Sequence, residues 1–292
     1  MKIIVVGDGK WGSAIGSLLS ENGREFSFWK KGDDLPDQAI LIMCIPTQAI
    51  REVLTLHGKN LKNIIYINGA KGIEKVTHKL PYQIAMDILG KNIDYFSLIG
   101  PSFAEEVEEK MPTLVNIGYV KEQNAELIRD LFHTDYFRVR LTRGIRALEL
   151  ASAFKNVYAI ACGVAEGLGF KTNTRVKLIL LAIEEFYRLS RKLGYTIDRR
   201  ALPGTIGDLI LTCNSEESRN FSFGKLLAKH KKGEALSLIG ETVEGYSSVE
   251  SVPYFEEHSR INLPLARFAY EIIREDDPAF VRSGFSDFVK NS

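Results

Sequence analysis

The feature that most constrains the fold is an apolar run, Ile3–Val6, that leads directly into the pattern G-x-G-x-x-G at Gly7, Gly9 and Gly12. A strand, this pattern and an amphipathic helix together are typical of a dinucleotide-binding βαβ unit. Gly7 permits the tight turn, Gly9 lets the backbone approach a pyrophosphate, and Gly12 lets helix and strand pack closely. The sequence therefore predicts a pyrophosphate at the N-terminus of the first helix, where backbone N–H groups are unpaired.

Strand and helix patterns alternate through the first half of the chain, which predicts a Rossmann-type, doubly wound parallel sheet. The predicted strands after the first are Glu25–Trp29, Ala39–Cys44, Asn63–Ile67, Tyr95–Ile99, Thr113–Ile117 and Phe137–Leu141. After Arg143 the strand signal ends and helical periodicity takes over. We therefore predict an α/β fold with a dinucleotide-binding domain at residues 1–143 and an all-α domain at 144–292.

Composition narrows the class of partner. The chain has 292 residues and a net charge of +1, which does not favour nucleic acid, and its apolar runs are too short to span a bilayer. Cys44, Cys162 and Cys213 lie far apart without a C-x-x-C pattern, so we expect reduced thiols and a cytoplasmic location. The histidines are scattered, so no metal site is predicted. We expect a small-molecule substrate, no nucleic acid and no membrane insertion, and a homodimer, although composition itself does not decide the oligomeric state.

The end of the second predicted strand bears on the choice of dinucleotide. NAD-selective sites usually carry an acidic residue there, bonded to the ribose 2′-OH, whereas this chain has Lys30 and Lys31. Two cations would attract a 2′-phosphate, although a solvated charge run is the alternative. The pattern favours NADP(H) slightly and leaves NAD(H) open. The following connection, Gly32–Gln38, is too short for an ordinary crossover helix.

Lys155 is the most unusual residue of the second half, because it sits in the largely apolar segment Leu150–Thr174. Its apolar neighbours follow helical spacing, so the segment is predicted to be a buried helix. A buried charge without a partner is costly. Lys155 therefore either extends to solvent from a core helix or has a functional partner. Lys71 and Ser102 follow predicted strand ends, where ligands bind to α/β sheets.

Eight short motifs occur in order along the chain: G-D-G-K-W-G-S-A (Gly7–Ala14), N-G-A-K-G-I (Asn68–Ile73), G-P-S-F-A-E-E-V (Gly100–Val107), F-K-N-V (Phe154–Val157), G-L-G-F-K-T-N-T-R (Gly167–Arg175), G-D-L-I-L-T-C (Gly207–Cys213), S-R-N (Ser218–Asn220) and V-E-G (Val243–Gly245). Taken together, these motifs resemble the NAD(P)-dependent glycerol-3-phosphate dehydrogenases of the bacterial biosynthetic type, over essentially the whole chain. The chain departs from the family in the shortened Gly32–Gln38 connection, which bears on adenine contacts and cofactor preference.

The resemblance implies reduction of dihydroxyacetone phosphate to sn-glycerol 3-phosphate by hydride transfer from NAD(P)H, which feeds glycerophospholipid synthesis. It also implies roles for individual residues. The implied catalytic residues are Lys155, Lys71 and Asp208. The implied substrate-binding residues are Lys71, Gly100, Ser102, Asn156, Asp208, Ser218, Arg219 and Asn220. The cofactor-binding residues, taken from the glycine pattern and the resemblance, are Gly7, Gly9, Lys10, Trp11, Gly12, Lys31, Lys71, Ala104, Arg219 and Glu244.

The chemistry of ketone reduction agrees with these residue types. Negative charge develops on the carbonyl oxygen, and an ammonium such as that of Lys155 stabilises it or donates the proton. Arg219 has the donor geometry that phosphate requires, and we expect it in a loop, Asn214–Asn220. The alternatives are structural: Asp208 as a helix cap and Arg219 as a surface salt-bridge partner.

Two other functions compete with this one. A related two-domain hydroxyacid dehydrogenase would need a His–Glu pair or a Lys-x-x-Asn arrangement. However, the sequence has no histidine between His133 and His230, and Lys155 and Asn156 are adjacent. A non-catalytic NAD(P)-sensing regulatory protein on the same fold would bind nucleotide without turnover. The lysines and Asp208 argue against that alternative.

Overall fold

The computed structural model describes residues 1–58 and 61–291, of which Asn291 is described by its backbone alone. The chain divides into two compact units, called unit 1 and unit 2 below. Unit 1 comprises Met1–Lys71, Lys79–Glu149 and Thr196–Thr205, and unit 2 comprises Gly72–His78, Leu150–Tyr195 and Ile206–Ser292. The domain division predicted at residues 143 and 144 stays a prediction.

All of the strands found in the described ranges belong to unit 1. They are β1 (Lys2–Val6), β2 (Phe26–Trp29), β3 (Ala39–Met43), β4 (Ile65–Asn68), β5 (Asp94–Ile99), β6 (Thr113–Tyr119) and β7 (Phe137–Thr142). The helices of unit 1 are α1 (Lys10–Glu21), α2 (Thr47–His57), α3 (Pro81–Leu89), α4 (Ala104–Glu108) and α5 (Ala125–Phe132).

The remaining helices follow β7. They are α6 (Ile145–Gly167), α7 (Thr172–Lys192), α8 (Asp208–Asn214), α9 (Arg219–Leu227), α10 (Lys232–Ile239), α11 (Glu244–Ser248), α12 (Val252–Ser259), α13 (Pro264–Glu275) and α14 (Pro278–Asn291). A five-residue π-helix, Pro203–Gly207, leads into α8. None of the helices described here is both long and apolar enough to cross a membrane.

The strands form one sheet in the order β2-β1-β3-β4-β5-β6-β7. Every neighbouring pair is parallel except β5 and β6, which are antiparallel. The Rossmann-type sheet followed by a helical C-terminal region is thereby confirmed, and the sheet is mostly parallel, with a reversal between β5 and β6. A strand buried on both faces is an apolar run in either direction, so the sequence pattern did not reveal that β6 reverses.

The inner strands β1, β3, β4 and β5 are buried on both faces of the sheet, which explains why they lack polar alternation. On one face Ile3, Val5 and Ile42 pack with Ile15 and Leu18 of α1. On the other face the intervening residues of the same strands, such as Val6 and Leu41, join side chains of α2 and α3. Because alternate side chains serve opposite layers, the carboxyl ends of β1, β3, β4 and β5 are held at one edge of a rigid sheet.

In unit 2, α6 packs against α9 unusually closely, and glycines make this possible. A Cβ on Gly163 of α6 would lie 1.9 Å from the carbonyl oxygen of Phe221. In the same way, a Cβ on Gly224 of α9 would lie 2.0 Å from the carbonyl oxygen of Ile160. The close backbone contact fixes the position of α9 along α6.

Candidate functional site

The glycine loop between β1 and α1 has the geometry predicted from its sequence. Gly7 has φ of 107°, and a Cβ on Gly12 would lie 1.9 Å from the Gly7 carbonyl oxygen, so neither position accepts a side chain without strain. Gly9 is the N-cap of α1 with no side-chain cap, and a Cβ there would meet nothing within 4 Å. The helix therefore presents its N-terminal N–H groups to open space, which suits a pyrophosphate.

The side chains that follow this loop differ in their surroundings. The indole N–H of Trp11 is buried and has no hydrogen-bond partner among the described residues. It faces Gly69, on which a Cβ would lie 2.9 Å from Nε1. Lys10 is exposed and lies 3.1 Å from the carboxylate of Glu105. An unpaired buried donor is costly, so the Trp11 N–H is suited to a polar group of a ligand.

The remaining residues assigned to the cofactor lie at element ends. Lys31 is exposed in the turn after β2, where Asp33 accepts a hydrogen bond from the Lys30 amide at 3.2 Å. Ala104 is the first residue of α4, and Glu244 is the first residue of α11 in unit 2. Their cofactor roles stay predictions.

The ends of β4 and β5 bring several predicted residues together. The ammonium of Lys71 donates to the carbonyl oxygen of Gly100 at 3.0 Å, and the hydroxyl of Ser102 donates to the same oxygen at 3.1 Å. Lys71 is partly buried. Three residues assigned to the site, from two motifs about 30 residues apart, thus meet at the Gly100 carbonyl oxygen within unit 1.

In unit 2, Lys155 forms a buried ion pair with Asp208. Its Nζ lies 2.5 Å from Oδ1 of Asp208, and the two side chains are 6% and 1% exposed. The alternative in which Lys155 extends to solvent is therefore wrong. Asp208 is the first residue of α8, and its carboxylate is the counter-charge of the Lys155 ammonium. Buried charges are tolerated when they are paired and hydrogen-bonded.

Thr212 completes this arrangement and was not singled out from the sequence. Its hydroxyl accepts a hydrogen bond from Lys155 Nζ at 2.9 Å and donates to the backbone carbonyl of Asp208 at 2.6 Å. The four-residue spacing between Asp208 and Thr212 on one helix was visible in the sequence and could have indicated a shared face. The lysine ammonium is therefore oriented from two positions on α8.

Asn156, next to Lys155, begins a second polar chain in unit 2. Its side-chain oxygen accepts from Nδ2 of Asn220 at 3.0 Å, and Oδ1 of Asn220 accepts from the Gly245 amide at 2.8 Å. A Cβ on Gly245 would lie 2.5 Å from the carbonyl oxygen of Asn156. The F-K-N-V, S-R-N and V-E-G motifs therefore meet at one place.

The structure corrects the expectation that Arg219 lies in a loop. Ser218 is the N-cap of α9, its hydroxyl accepting from the Phe221 amide, and Arg219 is the first helical residue. The guanidinium is about half exposed and lies 3.2 Å from Glu241. Serine is a preferred N-cap, so this helix start could have been predicted from the sequence.

The thiols agree with a reduced protein. Cys44, Cys162 and Cys213 are all unbridged. Burial raises the pKa of Cys44 to about 12, so it is a neutral thiol at physiological pH.

Comparison with known proteins identifies the family. Two family models match, the N-terminal region of NAD-dependent glycerol-3-phosphate dehydrogenase over residues 33–125 and its C-terminal region over residues 145–280. A glycerol-3-phosphate dehydrogenase [NAD(P)+] of Staphylococcus aureus is 32% identical across 94% of both chains.

Solved structures agree with this assignment. A glycerol-3-phosphate dehydrogenase from Coxiella burnetii is 26% identical, with a TM-score of 0.87 over 98% of both chains. One from Plasmodium falciparum shares the fold at 21% identity, with a TM-score of 0.82 over 98% of this chain and 94% of the other. The resemblance seen in the sequence motifs is thereby confirmed, and the chain belongs to the NAD(P)-dependent glycerol-3-phosphate dehydrogenase family.

Proposed function

We propose that this protein reduces dihydroxyacetone phosphate to sn-glycerol 3-phosphate with NAD(P)H, and so supplies the backbone for glycerophospholipid synthesis. The observation that carries the proposal is the buried Lys155–Asp208 pair with its threonine partner. The family assignment supplies the substrate and the cofactor. Neither competing function has a specific observation in its favour.

The glycine loop and Trp11 fit a dinucleotide. Gly7, Gly9 and Gly12 leave the N-terminus of α1 open, and the buried Trp11 N–H offers a donor beside it. When bound, the nicotinamide cofactor supplies the hydride. The protein's part is to hold the pyrophosphate at the helix N-terminus and to orient the dinucleotide.

Lys155 is the proposed catalytic residue. As the ketone is reduced, its carbonyl oxygen gains negative charge, which a positioned ammonium stabilises and can neutralise by donating a proton. Asp208 and Thr212 hold the ammonium in one orientation, so little reorganisation is needed during the reaction.

Lys71 supplies a second cation in this proposal. Its ammonium is held by the carbonyl oxygen of Gly100. In this proposal Lys71 contacts both the substrate and the nicotinamide cofactor. Ser102, Asn156, Ser218 and Asn220 provide further polar groups for the substrate. Each of these side chains takes part in a hydrogen bond that fixes its position.

The direct test is oxidation of NADH and of NADPH by the purified protein with dihydroxyacetone phosphate. We expect turnover with this substrate, and glycerol 3-phosphate as the product. Tight nucleotide binding without any turnover would contradict the proposal and favour the cofactor-sensing alternative.

Arg219 is proposed to bind the substrate phosphate. Its ion pair with Glu241 is half exposed, and such surface pairs contribute only about 0–1 kcal/mol to stability. A phosphate dianion can therefore replace the Glu241 carboxylate as the partner of the guanidinium. We predict that Arg219→Ala raises KM for dihydroxyacetone phosphate by about 10- to 100-fold, because a hydrogen bond to a charged group contributes about 1.5–3 kcal/mol. Steady-state kinetics with the phosphorylated and the unphosphorylated ketone measure this.

The matched control for that prediction is Glu241→Gln, which removes the ion pair and keeps the guanidinium. We expect its KM for dihydroxyacetone phosphate to stay the same or to fall. If Arg219→Ala changed the kinetics of dihydroxyacetone as much as those of its phosphate, Arg219 would not be the phosphate ligand.

Lys31 is proposed to contact the ribose 2′-phosphate of NADPH. The side chain is exposed at the end of β2, so its contribution is limited to about 1 kcal/mol. We predict that Lys31→Ala raises KM for NADPH by about 5-fold at low ionic strength and leaves KM for NADH nearly unchanged. Lys91→Ala, an exposed lysine before β5, is the control. Equal effects on both cofactors would argue against a 2′-phosphate contact.

We also infer a homodimer that works in the cytoplasm, without a nucleic-acid partner. The unbridged cysteines are compatible with a reducing compartment. Light scattering on the purified protein should give twice the mass of one chain. The mass of a single chain would contradict the dimer.

A further inference from the structure

Glu149 is a buried carboxylate in unit 1 that the proposed chemistry does not use. Its side chain is 0% exposed. Oε1 accepts hydrogen bonds from the Tyr95 hydroxyl at 2.6 Å, from the Ser97 hydroxyl and from Asn68 Nδ2 at 3.3 Å. Oε2 accepts from the Tyr82 amide at 2.7 Å. A buried carboxylate with this many donors is a fixed point in the structure, because displacing it would leave several polar groups unpaired.

The contact with Asn68 connects Glu149 to the loop that carries Lys71. Nδ2 of Asn68 also donates to the carbonyl oxygen of Ala70 at 3.0 Å, and Oδ1 accepts from the Ala70 amide at 3.0 Å. Both backbone groups of Ala70 are therefore held by one side chain. Ala70 directly precedes Lys71, so the orientation of the Asn68 amide sets the backbone from which Lys71 extends.

The contact with Ser97 connects Glu149 to β5, the strand that leads to the Gly100 carbonyl oxygen bonded by Lys71. Asn68 and Ser97 are directly paired in the register of β4 and β5, and both donate to the same carboxylate oxygen. β5 ends at Ile99, immediately before Gly100, whose carbonyl oxygen accepts from Lys71. Glu149 is thus hydrogen-bonded to both strand ends: to β4, which leads to the backbone of Lys71, and to β5, which leads to the carbonyl oxygen that accepts from its ammonium.

The structure assigns to Glu149 the role of a positioning residue, which fixes Lys71 through Asn68 and the backbone of Ala70. This inference rests on the proposed function of Lys71 and goes beyond it, because Glu149 itself touches neither proposed catalytic lysine in the hydrogen bonds above.

Burial raises the pKa of Glu149, and the hydrogen bonds from Ser97, Tyr95, Tyr82 and Asn68 oppose this shift by favouring the charged form. The charged carboxylate is the form that glutamine cannot replace. A carboxylate offers acceptors at both oxygens, whereas an amide has one oxygen and an NH2 group that only donates. If the amide oxygen of a Glu149→Gln variant faced the Tyr82 amide, the new NH2 would face the Asn68 NH2, and the two donors would repel. If the oxygen faced Asn68, the NH2 would face the Tyr82 N–H. Either orientation breaks one connection, and rotation of the Asn68 amide would release Ala70.

The test is a double-mutant cycle between Glu149 and Lys71, with the full-length protein, dihydroxyacetone phosphate and NADPH. We expect Glu149→Gln to lower kcat by about 10- to 100-fold, the range that a displacement of about 1 Å produces at a catalytic group. In the Lys71→Ala background the same substitution should change kcat by less than about 2-fold, because it acts only through Lys71. An equal loss in both backgrounds would overturn the inference.

The control is Glu185→Gln in unit 2. Glu185 is also a buried carboxylate, accepting from the amides of Leu265 and Ala266 at 2.6 and 3.2 Å. We expect this variant to unfold at lower temperature, as Glu149→Gln should, while keeping the wild-type kcat. A loss of kcat in Glu185→Gln that matched its loss of stability would show that Glu149→Gln acts through folding alone, and the inference would fail.

Asn68→Ala provides a second variant if Glu149→Gln does not fold. It removes the clamp on Ala70 and should lower kcat in the wild-type background but not in the Lys71→Ala background. The outcomes for the two proposals are distinct. Absence of turnover in the wild-type protein would contradict the proposed function, and wild-type kcat in Lys71→Ala would contradict the role of Lys71. A slow Lys71→Ala enzyme with an unaffected Glu149→Gln enzyme would overturn only the role of Glu149.

Discussion

Replacement of Lys155 by methionine is expected to lower kcat for dihydroxyacetone phosphate reduction by about 10²–10⁴-fold, the usual contribution of a positioned general acid. The substitution keeps the length of the side chain and removes its charge and its donors. The dinucleotide is assigned largely to the glycine loop and Trp11, so the Kd for NADPH should change little. Stopped-flow or steady-state rates, together with fluorescence titration of NADPH, measure both quantities.

A second lysine serves as the control for Lys155→Met. Lys177 is partly buried in α7 and donates to the carbonyl oxygen of Val289 at 2.8 Å, and no proposed role involves it. Lys177→Met should therefore keep the wild-type kcat. A Lys155→Met enzyme that turned over at a near-wild-type rate would rule out Lys155 as the catalytic group.

The free energies of unfolding of Lys155→Met and Asp208→Asn test whether the buried ion pair stabilises the fold. Removal of one partner of a buried pair leaves an uncompensated charge and typically costs about 3–5 kcal/mol. We therefore predict that Lys155→Met lowers the free energy of unfolding by about that amount, because the Asp208 carboxylate is 1% exposed. Asp208→Asn should cost less, since the amide oxygen still accepts from Lys155.

The double variant Lys155→Met/Asp208→Asn separates folding from chemistry. With neither charge present, it should recover most of the stability lost in Lys155→Met, because neutral replacements of a buried pair are often well tolerated. Its kcat should stay as low as that of Lys155→Met. Urea denaturation followed by circular dichroism measures the stability. If the double variant instead lost the sum of the stability losses of the two single variants, the two charges would not be energetically coupled.

The proposed site was largely predictable because its chemistry is tied to short motifs. The roles of the glycines at positions 7, 9 and 12 follow from backbone geometry alone, and the structure shows the positive φ of Gly7, the open N-cap at Gly9 and the close packing at Gly12 that the pattern requires. Lys155 was identifiable because a charged residue in an apolar helix needs a partner or water to offset the cost of burying its charge. These are local properties, so they are visible in the sequence.

Other features were not predictable because they depend on distant parts of the chain. The reversal of β6 left no mark on the sequence, since strands buried on both faces are apolar in either direction. The segment Thr196–Thr205 lies in the helical half of the sequence but belongs to unit 1. There the side chain of Asn116 donates to the Arg200 carbonyl and accepts from the Gly204 amide. No periodicity in the segment predicts that contact.

The sequence by itself therefore determined the fold class, the family, the glycine loop and most candidate side chains, because each depends on short-range spacing and residue type. Only the tertiary structure decided which charges are paired. It placed Asp208 and Thr212 on Lys155, and it placed Glu149 against Asn68. The physical reason is that the protonation and orientation of a buried group depend on neighbours that folding brings from distant positions, and single-sequence patterns do not encode those contacts.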